Sequence, residues 1–150
     1  MTTIQGFVGG AIAAVITWFV TNYWGRALLR FWDLRLEAHE AMFLYANVRA
    51  DHPADLGRAK EGSLLFRTLG AKIDGLRAVL PVPVSSYLQM RGYDLHGGAL
   101  ALIRLSNALG ADDNIATRSR VQAQRALHLP VDPQEQEEVN REQRLKDVSI

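Results

Sequence analysis

Apolar residues fill the first stretch of the chain, and no charged side chain occurs before Arg26. The run from Ile4 to Trp24 is 21 residues long. At about 1.5 Å rise per residue, a helix of that length matches a hydrocarbon core of about 30 Å. A core helix of a soluble domain carries a polar face, and this run carries none. A secretory signal needs a basic leading region and a small-residue cleavage site. The stretches at its two ends, "MTTIQ" at 1–5 and "TNYWGRALLRFW" at 21–32, supply neither. The pattern predicts an uncleaved transmembrane anchor over 1–25.

Beyond Arg26 the pattern is helical throughout. No breaker occurs until "DHPAD", where Pro53 stops the run, so one helix is expected from about Ile4 to about Val48. Leu29, Trp32, Leu36 and Phe43 share a stripe that Leu28, Ala38, Met42 and Tyr45 widen, and this stripe is expected to face inward. A second helix starts with Asp51 or Asp55 near its cap and ends near Leu80. Its apolar stripe is Leu65, Leu69, Ile73, Leu76 and Leu80. "PVPV" at 81–84 reads as a rigid, non-helical connection, and "SSYLQMRG" as a short turn. "DLHGGALALIRLSNALG" reads as a buried helix capped by Asp94 and stopped by Gly110, with Arg104 its one formal charge after the cap. A last amphipathic helix follows, with Asp112 or Asp113 as cap and Ile115, Ala123, Ala126 and Leu127 inward. From Val131 onward, six acidic and three basic side chains accompany few apolar ones, which predicts a frayed helix or a disordered arm, in either case a flexible tail. The fold class expected is all-α: an N-terminal transmembrane helix (1–25) continuing into a small cytoplasmic helical bundle (26–129), then a polar tail (130–150).

Composition narrows the chemistry. With no cysteine, disulfides, thiolate metal sites and Cys nucleophiles are excluded. A formal charge of +1, with basic residues spread along the chain, gives no footprint for nucleic acid. Fourteen of the seventeen basic residues are Arg, and their scatter reads as compositional bias rather than a recognition site. Tyr23 and Trp24 stand where an aromatic belt lies, followed by Arg26, Arg30 and Arg35. The positive-inside rule places the bundle in the cytoplasm and the N-terminus outside, with the bacterial inner membrane as the location.

Within the run, Gly6, Gly10 and Ala14 recur every four residues, with Gly9 and Ala13 beside them. Such a small-residue face lets a second helix approach closely and makes homo-oligomerisation a candidate. In "WDLRLEAHE", Asp33, Glu37 and Glu40 share a face beside His39. Leu36 stands where a Glu-x-x-His motif needs its carboxylate, so a solvated, ion-paired stripe is the reading. His39, His52, His96 and His128 show no zinc spacing. "GRAKEGS" lacks the lysine of a phosphate loop. Tyr93, Asp94 and His96 read as a cap with packing glycines. Arg118, Arg120 and Arg125 face either anionic headgroups or the acidic tail. No catalytic, cofactor-binding or metal-ligating residues emerge.

"FLYANVRAD" at 43–51 and "LIRLSNALG" at 102–110 resemble segments of small, uncharacterised bacterial membrane-anchored proteins that have one N-terminal span. The resemblance implies a layout and no activity. It singles out Tyr45, Asn47, Ser106 and Asn107 as a polar helix interface. The function expected is a membrane-anchored, non-enzymatic interaction or scaffold protein that self-associates or docks a membrane partner. An oligomeric pore is the alternative, and a metal-dependent enzyme using Asp33, Glu37, His39 and Glu40 ranks below it.

Overall fold

The computed structural model describes residues 2–49 and 52–148. Seven α-helices follow one another among them: α1 Thr2–Phe19, α2 Arg26–Leu44, α3 Leu56–Val79, α4 Val82–Met90, α5 Leu95–Ala108, α6 Asp113–Ala126 and α7 Pro133–Val148. The protein is all-α, a helical bundle with no strand among the described residues.

α1 and α2 are joined by a π-helical turn, Val20–Gly25. The backbone stays right-handed helical at Phe19, Gly25 and Arg26, so the rod continues through it. Asn22 donates from Nδ2 to the Trp18 carbonyl at 2.9 Å, and Phe19 stacks on Tyr23 at 5.3 Å. Both contacts support a backbone widened for one turn. The helix ends at Leu44, short of Val48. Arg58 then donates to the freed Leu44 carbonyl at 3.0 Å.

No helix among the described residues is long and apolar enough to cross a membrane. α1 alone has 18 residues, and the apolar run beyond Phe19 belongs to the π-helical turn.

The face that α2 buries differs from the stripe read from sequence. Phe31, Leu34, Ala38, Ala41 and Met42 face the core, whereas Leu29, Leu36 and Phe43 are 56–84% exposed. Both sets recur at helical spacing. The buried set contains Ala38 and Ala41, whose small side chains permit close packing of whatever covers that face. Trp32 keeps 39% of its surface exposed, while Ala38, Met42 and Tyr45 are buried as expected.

α3 runs antiparallel to α2, with Glu37 paired to Lys72 at 3.1 Å and Tyr45 edge-on to Phe66 at 6.0 Å. Leu69, Ile73 and Leu76 are buried, and Leu65 and Leu80 pack partly against the core. α5 lies between α3 and α6 as the central helix, with only a narrow outer edge exposed. Its approach to α3 requires Gly70, where a Cβ would stand 2.9 Å from the Ala99 carbonyl oxygen. That atom belongs to backbone and cannot rotate away. Gly70→Val is expected to destabilise the bundle by about 2 kcal/mol, read as a lowered denaturation midpoint.

Asp94 caps α5 by accepting from the Gly97 amide at 2.8 Å, and Asp112 caps α6 through the Ile115 amide at 3.0 Å. Gly110 ends the α5 region with φ +75°, a conformation that favours glycine. On α6, Ala123 and Leu127 are buried and Ala126 half-buried, but Ile115 is exposed at the first turn.

One stretch read as non-helical is a helix, and of the two readings of the tail the helical one holds. "PVPV" opens α4, with Pro81 at the cap and Pro83 in the first turn, where missing amides cost nothing. The 130–150 tail contains α7, which is docked on α6. Asp132 starts it by accepting from the Gln134 amide at 2.8 Å, and Val139 is buried.

Candidate functional site: surfaces of the N-terminal helix and the bundle

Every described residue from Val8 to Thr21 is exposed. Val8, Ile12, Val15, Ile16, Trp18 and Phe19 each leave half or more of their surface uncovered. Among the described residues, the one substantial contact of α1 is with the π-helical turn. Val8, Ile12, Val15 and Phe19 mark a bulky side of this helix. Gly10, Ala13, Ala14 and Thr17 lie opposite at helical spacing. Around Gly9 and Gly10, a Cβ would meet nothing within 4 Å. Gly6 lies in α1, but its surroundings fall outside the described residues.

The aromatic and basic residues after the apolar run divide. Tyr23, Arg26 and Arg30 are exposed, whereas Trp24 is half-buried against the bundle core.

The four residues taken from the resemblance divide as well. Ser106 is buried and donates to the Ile103 carbonyl at 2.7 Å, while Ser63 donates to the Ser106 carbonyl at 2.6 Å. Asn107 accepts from Arg67 at 2.9 Å. These two therefore tie α5 to α3. Tyr45 packs its ring over Gly62 and Phe66 at the α2–α3 interface. Asn47 is exposed in the loop after α2 and takes no part in that interface. It lines a cleft of about 280 Å³ with Arg49, Thr117, Arg120 and Glu135.

The acidic face of α2 does not converge. Glu37 reaches Lys72, while Asp33 and Glu40 are exposed. Among the described residues, no group of three or more His, Asp and Glu side chains is placed to hold a metal ion. His96 stands 3.7 Å from Asp74, and Arg77 donates to the same carboxylate at 3.0 Å. The Arg77 hydrogen bond, helped by its charge and by His96, holds the Asp74 carboxyl below the usual carboxylate range.

Two constellations had no clear sequence signal. Arg35 donates to the Leu127 carbonyl at 2.8 Å and also to the His128 carbonyl, and its guanidinium lies over the Trp32 ring. Tyr93 meets Phe31 at 5.1 Å, Trp32 at 5.8 Å and His128 at 4.6 Å. This cluster joins α2 to the two loops that flank α5 and α6. The other is Arg120, whose side chain is only 9% exposed. It pairs with Glu135 of α7 at 2.5 Å and donates to the Ala46 carbonyl at 3.3 Å. Of the two open readings for the α6 arginines, pairing with the acidic C-terminal segment describes Arg120. Arg125 likewise donates to Gln136 and Asn140.

No family model matches the chain, and neither curated proteins nor solved structures give a match.

Proposed function

We propose that the protein is a single-span, membrane-anchored interaction module. α1 and the π-helical turn cross the bilayer as one rod, and the bundle is held on the cytoplasmic side of the bacterial inner membrane. The small-residue side of α1 pairs it with a second copy. The observation that carries this reading is the exposure of α1 from Val8 to Phe19, an apolar, charge-free stretch that no described residue covers. Left in water, that surface far exceeds the apolar patch of an ordinary soluble monomer. From Thr2 to Gly25 the rod is about 35 Å long, against a hydrocarbon core of about 30 Å. The first basic residues, Arg26 and Arg30, follow at once on the bundle side, which supports the orientation.

In lipid the bulky side gains nothing from helix contact, whereas the Gly10–Ala13–Ala14 side permits close packing. A pore built from the same helix needs a polar lining, and the run carries no ionisable residue. The interaction module is therefore the better reading.

The test is molecular mass in mild detergent, after confirming that the chain stays with membranes through an alkaline wash. Gly10→Leu is expected to lower the oligomer number without releasing the chain. Equal mass for wild type and variant would remove self-association through α1, and loss of wild type from the washed membrane would remove the anchor.

A further inference from the structure

The apolar stripe that the sequence shows on α2 stands outside the bundle. Leu29, Leu36 and Phe43 follow one another at seven-residue steps, and each leaves more than half of its surface uncovered. Phe31, Leu34, Ala38 and Ala41, which face the core, lie on the opposite side of the helix. Trp32 and His39 stand three residues after Leu29 and Leu36 on the outer side, neither of them buried. Positions 29, 32, 36, 39 and 43 thus alternate steps of three and four. That is the spacing of a coiled-coil seam, with His39 its one polar member.

α2 belongs to the same rod as α1, continued through the π-helical turn. Such a turn bonds five residues back instead of four, so it takes in about one residue more than an α-helical turn. The 19 residues from Gly10 to Leu29 then count as about 18, five whole turns at 3.6 residues each. Thr17 falls about three turns before Leu29 on the same line, whereas Val15, on the bulky side of α1, falls about half a turn off it. An unbroken α-helix would set Gly10 and Leu29 about a quarter-turn apart. The widened turn therefore aligns the outer stripe of α2 with the small-residue side of α1.

Charge selects the occupant. In this register Asp33 and Glu40 border the stripe on one side, and Leu28 and Arg35 border it on the other. An antiparallel copy would set the two acidic borders against each other. A parallel copy sets Glu40 against Arg35 of the second chain, the pairing that fixes orientation in coiled coils. Glu40 is exposed, and the Arg35 bonds to the Leu127 and His128 carbonyls use two of its five guanidinium donors. Resting on the α1 pairing proposed above, we propose that Leu29, Trp32, Leu36 and Phe43 continue that interface outside the bilayer, covered by the same stripe of a second, parallel copy. The seam runs from Gly10 to Phe43, about 50 Å along one rod. Small residues close it in lipid, where packing drives association, and large apolar ones close it in water.

With no cysteine in the chain, single thiols report the seam in the full-length protein. Gly10→Cys, Leu29→Cys, Leu36→Cys and, as an exposed control, Met90→Cys are oxidised in vesicle membranes, and linked dimers are read on a non-reducing gel. Disulfides between like positions at 10, 29 and 36 are expected to form about tenfold or more faster than at 90, because paired chains hold their thiols at a raised effective concentration. Linking at 10, with 29 and 36 no faster than 90, overturns the seam on α2 and leaves the α1 pairing standing. No linking at 10 overturns the α1 pairing, and this inference with it. In mixtures of Leu29→Cys and Phe43→Cys chains, a 29–43 disulfide in place of the 29–29 one means antiparallel helices and overturns the parallel seam. Glu40→Lys is expected to slow linking at 36 about threefold, as loss of an exposed ion pair does. An unchanged rate would overturn the part assigned to Glu40 and Arg35.

Discussion

Val15→Lys is expected to move the chain out of the membrane fraction. Val15 stands near the middle of the apolar run, and a lysine at the centre of a span costs about 2.5–3.5 kcal/mol on insertion scales. At 1.4 kcal/mol per factor of ten, that is about a hundredfold loss of insertion. The run has no partner charge to compensate it and few residues beyond the minimum length for spanning. Phe43→Lys places the same charge on an equally uncovered apolar position of α2, and the membrane fraction should not change. Fractionation after an alkaline wash reads both variants. If Val15→Lys stays fully with the membranes, α1 is not the anchor.

The second large effect is expected at the α6–α7 contact. Glu135→Ala strands the Arg120 guanidinium under α7, where Arg120 Nε and Gln124 Oε1 already lack a hydrogen-bond partner. Leaving a buried charge without its counterion is much costlier than removing both charges. Because Glu135 is about a quarter exposed, the loss is put at about 2 kcal/mol rather than the full buried-pair value. Arg120→Met together with Glu135→Leu should recover most of it. Amide exchange across 133–148 is the readout, with faster exchange in Glu135→Ala and near-normal exchange in the double variant. Equal protection in wild type and Glu135→Ala would mean that Val139 and the Arg125 bonds to Gln136 and Asn140 hold α7 without the ion pair.

The helical class, the Asp94 and Asp112 caps, the Gly110 stop and the buried character of α5 were legible in the sequence, because each depends on neighbours within a few residues. The burial of α2 was not. Two apolar sets alternate on that helix, and the choice between them depends on the helices that pack against it, which the local pattern does not name. The prolines show a different kind of failure. Read as breakers, Pro83 and Pro133 hid two helix starts, although Asp132 followed by Pro133 and Glu135 carries the residues of a capping box. Arg120 was legible only as one of three spread arginines. Its burial depends on α7, which an acidic composition disguised as a tail. The Arg35, Tyr93 and His128 cluster joins positions too far apart in sequence for any local pattern to link them.

That last separation has a consequence in time. The carbonyl that Arg35 grips at Leu127 lies 92 residues further along the chain. At synthesis rates of about 5–20 residues per second, α2 waits about 5–20 s before the partner that completes its seat exists. During that interval Phe31 and Leu34 have only early, provisional neighbours. The first helix of the bundle to be made is thus among the last to be locked, and the bundle closes only once α6 has been made.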